Sequence, residues 1–187
     1  GIKSIEVESE AGIAPTPQKE YYIEFIGDSI TCGYGVEDEN KDHHFSTSTE
    51  NAMKTYAYKT AQALDADYSL VSFSGYGVIS GYSGDGQKHG EQAVSKYYEK
   101  LGFSYGNYLG QIPHDTEWDF AKRQPDLIVI NLGTNDESYT GADETRRAEF
   151  IAGYVDFLKQ VRGKNPDAMI FCTVGIMGDG LYASIQK

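Results

Sequence analysis

The chain has 187 residues, with 16 Lys and Arg against 28 Asp and Glu, so its formal net charge is −12. This length fits one domain, and a hydrophobic fraction of 40% is enough for a core, which excludes intrinsic disorder as the default. The acidic balance and the lack of a basic stripe predict no nucleic-acid partner. The longest notable apolar run, residues 127–130, is far shorter than the roughly 20 residues of a membrane span, so no membrane partner is predicted.

The first 20 residues differ in pattern from the rest of the chain. Residues 2–8 alternate between apolar and polar side chains, as a strand does, and residues 14–19 contain Pro15 and Pro17, as a linker does. We interpret residues 1–20 as the tail of something upstream, and residues 21–187 as one separate domain.

From residue 21 onward, apolar runs alternate with Gly-containing turns and helical patterns. The predicted strands are residues 22–26, 68–73, 127–132 and 169–174, and the predicted helices are residues 51–66 and 146–162. Strands that read as near-continuous apolar runs are buried on both faces. The pattern therefore predicts an α/β fold, a three-layer α/β/α sandwich around a central, mostly parallel sheet, with ligands at the carboxyl ends of its strands.

Three segments that follow predicted strands carry residues able to do chemistry. Ser29 stands where a helix would begin, beside free backbone N–H groups, a position that suits a nucleophile. Acyl transfer also needs donors about 3 Å from the developing oxyanion, and the Ser29 N–H, the Gly75 N–H and the Asn135 side-chain amide are available. Alternatively, Ser29 caps a helix, Gly75 forms a turn and Asn135 with Asp136 holds a loop. Convergence of all three segments at one sheet edge favours an active site.

These segments resemble the first three sequence blocks of the SGNH, or GDSL-like, hydrolases. The blocks are GDSIT at residues 27–31, Gly75, and GTND at residues 133–136. The wider runs EFIGDSITCGYG, SGYG and QPD, at residues 24–35, 74–77 and 124–126, are similar to the acetyl (acetylxylan) esterases of carbohydrate esterase family two. The resemblance covers most of residues 20–178 and implies the flavodoxin-like SGNH fold. It also implies that residues 1–20 are the tail of an upstream β-sandwich domain plus a linker.

The resemblance implies a role for each matching residue. Ser29 would be the nucleophile, its own N–H, the Gly75 N–H and the Asn135 side chain would form the oxyanion hole, and Asp28 and Asp136 would support the loops. The implied reaction removes acetyl groups from acetylated polysaccharide or oligosaccharide through an acyl-enzyme, with no metal or organic cofactor. The resemblance also implies a secreted protein.

Two further residues are candidates for substrate binding. Tyr76 belongs to a Gly-rich, Tyr-rich region whose rings could stack on sugar faces, and Met177 follows the fourth predicted strand at the same sheet edge. The loop at residues 37–44 begins like a calcium loop, but His43 stands where that loop needs Gly and Thr49 where it needs Glu, so no metal is predicted.

The general base is the part of the pattern that the sequence lacks. The superfamily supplies it from an Asp-x-x-His block near the C-terminus, and no such block is present here. The four histidines all precede the fourth predicted strand, in polar segments: His43, His44, His89 and His114. We therefore predict that residues 21–187 form a hydrolase domain that is C-terminally incomplete, and that this chain alone has little activity.

Two alternative functions remain open. A lipase or lysophospholipase of the same superfamily would have a wider apolar pocket and would prefer longer acyl chains. A non-catalytic carbohydrate-binding module would use the same cleft and would bind polysaccharide unchanged after Ser29→Ala.

Overall fold

A computed structural model describes residues 4–187. It contains four strands and five α-helices, and the long connection between β2 and β3 is irregular apart from short 3₁₀ turns. In chain order the elements are β1 (Tyr22–Gly27), α1 (Ser29–Cys32), α2 (Tyr56–Ala63), β2 (Asp67–Ser72), β3 (Leu127–Asn131), α3 (Thr134–Thr140), α4 (Glu144–Lys164), β4 (Met169–Thr173) and α5 (Tyr182–Ile185).

The strands form one parallel sheet in the order β2-β1-β3-β4. Its register aligns the strand ends, because Gly27 lies opposite both Ser72 and Asn131, and Asn131 lies opposite Thr173. All four strands therefore end at one edge of the sheet, which is the edge that the sequence predicted for the active site. The predicted parallel sheet and its four strands are confirmed.

Each face of the sheet carries its own layer. On one face, Phe25 of β1 packs with Ala57 and Ala61 of α2. On the opposite face, Ile26 of β1 and two isoleucines of β3 pack against α4. The buried residues of α4 repeat at helical spacing: Phe150, Tyr154, Phe157 and Val161. This arrangement confirms the predicted three-layer α/β/α sandwich.

The predicted helix over residues 51–66 is wrong in its length. Residues 52–54 form a 3₁₀ turn, and α2 begins only at Tyr56. The cause is a tertiary contact: the Asn51 N–H donates to the Gly33 carbonyl, and the Asn51 side chain accepts from the Met53 N–H. This contact ties the start of the segment to the turn after Ser29, and periodicity along the chain does not reveal it.

Two other helices differ from the prediction: α4 is longer than predicted, and α3 was not predicted. α4 begins two residues earlier than predicted, at Glu144, because the Asp143 side chain caps it by accepting from the Thr145 and Arg146 N–H groups. α3 was not predicted, since its sequence, TNDESYT, is polar and lacks an apolar stripe.

The strand predicted over residues 2–8 is not formed in residues 4–8, which are exposed and without strand pairing, while residues 2 and 3 lie outside the described range. The assignment of residues 1–20 to an upstream domain stays a prediction. Within residues 4–187, no helix is long and apolar enough to cross a membrane.

Candidate active site

Ser29 is the first residue of α1 and lies directly beyond the end of β1. Asp28 caps this helix, because its Oδ1 accepts from the Ile30 N–H at 2.9 Å. The turn closes at Gly33, whose φ of 84° is left-handed and whose N–H donates to the Ser29 carbonyl at 3.0 Å. The Ser29 hydroxyl and N–H form no hydrogen bond with any residue between 4 and 187, so both remain free for a substrate.

The two other predicted oxyanion donors lie beside Ser29. Gly75, Asn135 and Ser29 line one pocket. Gly75 has a φ of 82°, a conformation that suits glycine, and its N–H donates to no described residue. The buried Asn135 side chain is oriented by two acceptors, since its Nδ2 lies 2.7 Å from the Tyr76 carbonyl oxygen and 3.3 Å from Asp28 Oδ2. The structure therefore brings Ser29, Gly75 and Asn135 together around one pocket. Both hydrogens of the Asn135 amide point to protein acceptors, of which Asp28 is the more distant.

Asp136 connects the end of β3 to the segment that follows Gly75. Its carboxylate is fully buried and accepts three consecutive backbone N–H groups, from Val78, Ile79 and Ser80, at 2.8–3.0 Å. These bonds compensate for burying the charge and fix the course of residues 77–80. The geometry suits the predicted loop-supporting role of Asp136.

Two buried carboxylates create an unusual electrostatic environment below Ser29. Burial raises the pKa of Asp28 to about 6; the Ile30 N–H opposes this shift, and the nearby Asp136 adds to it. Burial also raises the pKa of Asp136, against the three N–H groups that favour its charged form. Asp28 therefore titrates in a range where it can change the charge next to Asn135.

The Ser29 pocket has a volume of about 400 Å³ and is mostly apolar. Tyr34 and Phe45 form one wall as a stacked pair with ring centroids 5.1 Å apart. Tyr82 and Met177, both exposed, line the same pocket. Of these four side chains, Met177 is the one predicted to line the site. Tyr82 lies in the Gly-rich, Tyr-rich region whose rings could stack on sugar faces, and Tyr34 lies within the run that matches the esterases. No local pattern marks Phe45.

Tyr76 is placed differently from its prediction. Its ring packs with Phe73, Tyr97 and Phe103 and does not line the Ser29 pocket. It is the Tyr76 carbonyl oxygen that reaches the site, as an acceptor for Asn135. This position favours a packing role for the ring over the predicted substrate contact.

Among residues 4–187, no imidazole is hydrogen-bonded to Ser29. Three of the four histidines pair with acids of exposed or half-exposed segments: His43 with Asp38 at 2.8 Å, His89 with Asp85 at 3.1 Å, and His114 with Asp115 at 3.1 Å. His44 is exposed and lines a neighbouring pocket that shares Tyr34 and Phe45 with the Ser29 pocket. The general base is therefore not assembled at Ser29 by these residues.

Two other kinds of chemistry at this edge, metal binding and a cysteine nucleophile, have little support from the side chains present. No cluster of three or more His, Cys, Asp or Glu residues able to hold a metal occurs within the described range. Burial raises the pKa of the Cys32 thiol, so this thiol is less prone to ionise, and its hydrogen bond is to Ser72. The free hydroxyl of Ser29 is the better-placed nucleophile.

Known proteins resemble this chain in sequence. The model of the GDSL-like Lipase/Acylhydrolase family matches residues 25–186. A cellulase/esterase, CelE, from Acetivibrio thermocellus is 41% identical over 170 residues, covering 90% of this chain and 19% of that protein. An acetylxylan esterase / glucomannan deacetylase from Cellvibrio japonicus is 34% identical over 161 residues, covering 81% of this chain and 41% of that protein.

A solved structure agrees in fold as well as in sequence. An acetyl xylan esterase, Est2A, from the rumen bacterium Butyrivibrio proteoclasticus superposes with a TM-score of 0.83 at 31% identity. The match covers 92% of this chain and 51% of that one. This chain thus spans about half or less of each of these three relatives. Because the family model covers most of the sequence, including the strand ends that carry Ser29, Gly75 and Asn135, the chain belongs to the GDSL-like lipase/acylhydrolase family.

Proposed function

We propose that this chain is the catalytic domain of a serine esterase that removes acetyl groups from acetylated polysaccharide or oligosaccharide. The observation that carries the proposal is the free Ser29 hydroxyl in a pocket shared with Gly75 and Asn135. A binding module has no need of this constellation, whereas acyl transfer requires both a nucleophile and fixed donors for an oxyanion.

The reaction follows from the roles of these groups. A base removes the Ser29 hydroxyl proton while Oγ attacks the acetyl carbonyl carbon, and the negative charge on the carbonyl oxygen faces the N–H groups of Ser29 and Gly75 and the Asn135 amide. The bond between that carbon and the sugar oxygen then breaks, and the sugar oxygen takes up the proton. Water attacks the acetyl-Ser29 ester in the same way and releases acetate.

The substrate class is inferred from the pocket and from the relatives together. Tyr34, Phe45 and Tyr82 offer aromatic surface with polar edges, which suits a sugar ring. Relatives named as acetylxylan esterases and a glucomannan deacetylase support an acetylated plant polysaccharide as substrate. We extend to this protein a secreted location, and to residues 1–20 a connection to an upstream β-sandwich domain.

We propose that the general base comes from outside residues 4–187, since none of the four histidines is hydrogen-bonded to Ser29. A diffusible base can then replace it. The test is acetate release from acetylated xylo-oligosaccharides by this chain, with and without free imidazole, using Ser29→Ala as the blank.

The expected result is low release without imidazole and a Ser29-dependent rate that rises with imidazole concentration. Equal rates for the two proteins at every imidazole concentration would contradict the esterase assignment. Comparing acetyl with butyryl esters under the same conditions separates the alternatives, because a preference for the longer acyl group would indicate a lipase-type enzyme instead.

A further inference from the structure

The segment that brings Met177 to the Ser29 pocket, residues 174–181, has a strained backbone. Gly175 and Gly178 have φ angles of 154° and 150°, and Ile176 between them has a φ of 74°. A β-branched residue rarely adopts this left-handed conformation. Ile176 is 83% exposed, so its side-chain packing does not compensate for the strain. Contacts elsewhere must hold the segment in this course.

Glu137 provides such a contact from helix α3. Its Oε2 accepts the Gly180 N–H at 3.2 Å, and its carboxylate packs so closely on the segment that a Cβ atom at Gly180 would collide with it. A Cβ at Gly178 would lie 3.1 Å from Oε2. Within residues 4–187, no other side chain is hydrogen-bonded to this segment.

The position of Glu137 links two parts of the pocket. Asn135, the side-chain oxyanion donor, lies two residues before it on the same helix. α3 therefore presents the Asn135 amide and holds the segment that carries Met177. The contact between Glu137 and Gly180 connects these two pocket features, and the buried Leu181 anchors the C-terminal end of the same segment.

We propose that Glu137 is a positioning residue that fixes the Met177 wall and thereby restricts the acyl group that the pocket accepts. This inference rests on the proposed function, because acyl selectivity has meaning only for an esterase. A tethered wall excludes larger acyl groups, whereas a released Met177, with its flexible unbranched side chain, can move aside for them.

The first test requires no turnover. The chain has three methionines, so methyl-labelled methionine gives three NMR signals, and those of Met53 and Met169 serve as internal references. In Glu137→Ala we expect the Met177 methyl signal to shift and sharpen while the other two stay unchanged. In Glu137→Gln, whose amide oxygen can still accept from Gly180, the Met177 signal should stay close to that of the parent.

Gly180→Ala tests the same contact from its other side. It should displace the Glu137 carboxylate and change the Met177 signal as Glu137→Ala does. The Met177 signal of the double variant, with both substitutions, should match that of each single variant. Glu144→Ala, which removes an exposed carboxylate at the start of α4, is the matched control and should leave all three signals in place. An unchanged Met177 signal in both Glu137→Ala and Gly180→Ala would overturn the tether.

The second test measures selectivity with imidazole present. We expect the ratio of kcat/KM for acetyl over butyryl esters to fall several-fold in Glu137→Ala and to be retained in Glu137→Gln. A ratio unchanged in Glu137→Ala, despite a changed Met177 signal, would overturn the role in selectivity. If the unmutated chain shows no Ser29-dependent hydrolysis even with imidazole, that result counts against the proposed function. The Met177 NMR signal would still decide whether Glu137 tethers the segment.

Discussion

Two neighbouring regions around Ser29 differ in how deeply their ionisable side chains are buried. At the carboxyl edge of the sheet, Asp28 and Asp136 are fully buried, and each accepts hydrogen bonds from backbone or amide donors. In the adjacent loop, Asp38 and His43 pair with each other at the surface. The first region is built to hold a fixed geometry, whereas in the second a hydrogen bond links an exposed histidine to a half-buried carboxylate.

This difference shows why one half of the catalytic apparatus is recognisable here and the other is not. The proposed nucleophile and donors follow the ends of strands. A parallel sheet brings these ends to one edge, so their proximity can be predicted without knowledge of contacts between distant segments. A base must reach Ser29 from another element, and none of the described histidines is held at the sheet edge. The comparison can be tested by removing groups from each region in turn.

The largest effect is expected for Asp136→Ala. Removing this carboxylate leaves three backbone N–H groups without an acceptor, those of the buried Val78 and Ser80 and of the half-buried Ile79. The free energy of unfolding should fall by about 3 kcal/mol or more, measured by denaturant titration. A loss below about 1 kcal/mol would mean that this edge is not the rigid region described here.

Asn135→Ala should act mainly on the reaction rate. Loss of one oxyanion donor lowers the rate by about 10²–10³-fold in related chemistry, so imidazole-dependent acetate release should fall by this factor. The change is read as kcat, with the thermal midpoint of each protein as the control for folding. Acetate release at the parental rate would show that Asn135 is not an oxyanion donor.

Asp28 should make stability depend on pH. Its folded pKa of about 6 lies above the ordinary value of 3.8, so the folded state binds the proton more tightly than the unfolded state. Its contribution to stability is complete below about pH 4 and is lost as pH rises through about 6, by up to about 3 kcal/mol.

The measurement is the free energy of unfolding of the parent and of Asp28→Asn between pH 4 and 7. The parent should lose stability relative to the variant as pH rises. Parallel pH profiles for the two proteins would show that Asp28 titrates normally.

The smallest effect is expected for His43→Ala. Its exposed pair with Asp38 contributes little, so stability should change by less than about 0.5 kcal/mol and acetate release should not change. The same experiment on His44, His89 and His114 completes the set. Loss of Ser29-dependent acetate release in any one of the four variants would identify that histidine as an internal base. It would contradict the distinction drawn here between the sheet edge and the surface loops.

Much of this molecule could be predicted from the sequence. The four strands end within one residue of their predicted positions, because Gly and Asp bound each apolar run. Burial on both faces holds for β1 and β3, whereas β4 lies at the sheet edge and leaves Met169 and Phe171 exposed. The placement of Ser29, Gly75 and Asn135 around one pocket could be predicted because each follows the end of a strand; their catalytic roles stay predictions.

What escaped prediction depends on contacts between distant segments. The early break in the helix before Tyr56 comes from the bond between Asn51 and Gly33. Helix α3 forms in a polar run, and the pocket positions of Phe45 and Tyr82 arise from irregular loops. Neither hydrophobic periodicity nor motif spacing encodes such contacts.

The central claim is that Ser29 carries the acetyl group during turnover, and mass spectrometry tests it most directly. The chain is incubated with acetylated xylo-oligosaccharide and imidazole, quenched in acid, digested, and compared with Ser29→Ala treated in the same way. We predict one added acetyl group on the peptide that contains Ser29 and none on the corresponding peptide of the variant. Imidazole-dependent acetate release without any acetyl group on that peptide would contradict the acyl-enzyme account.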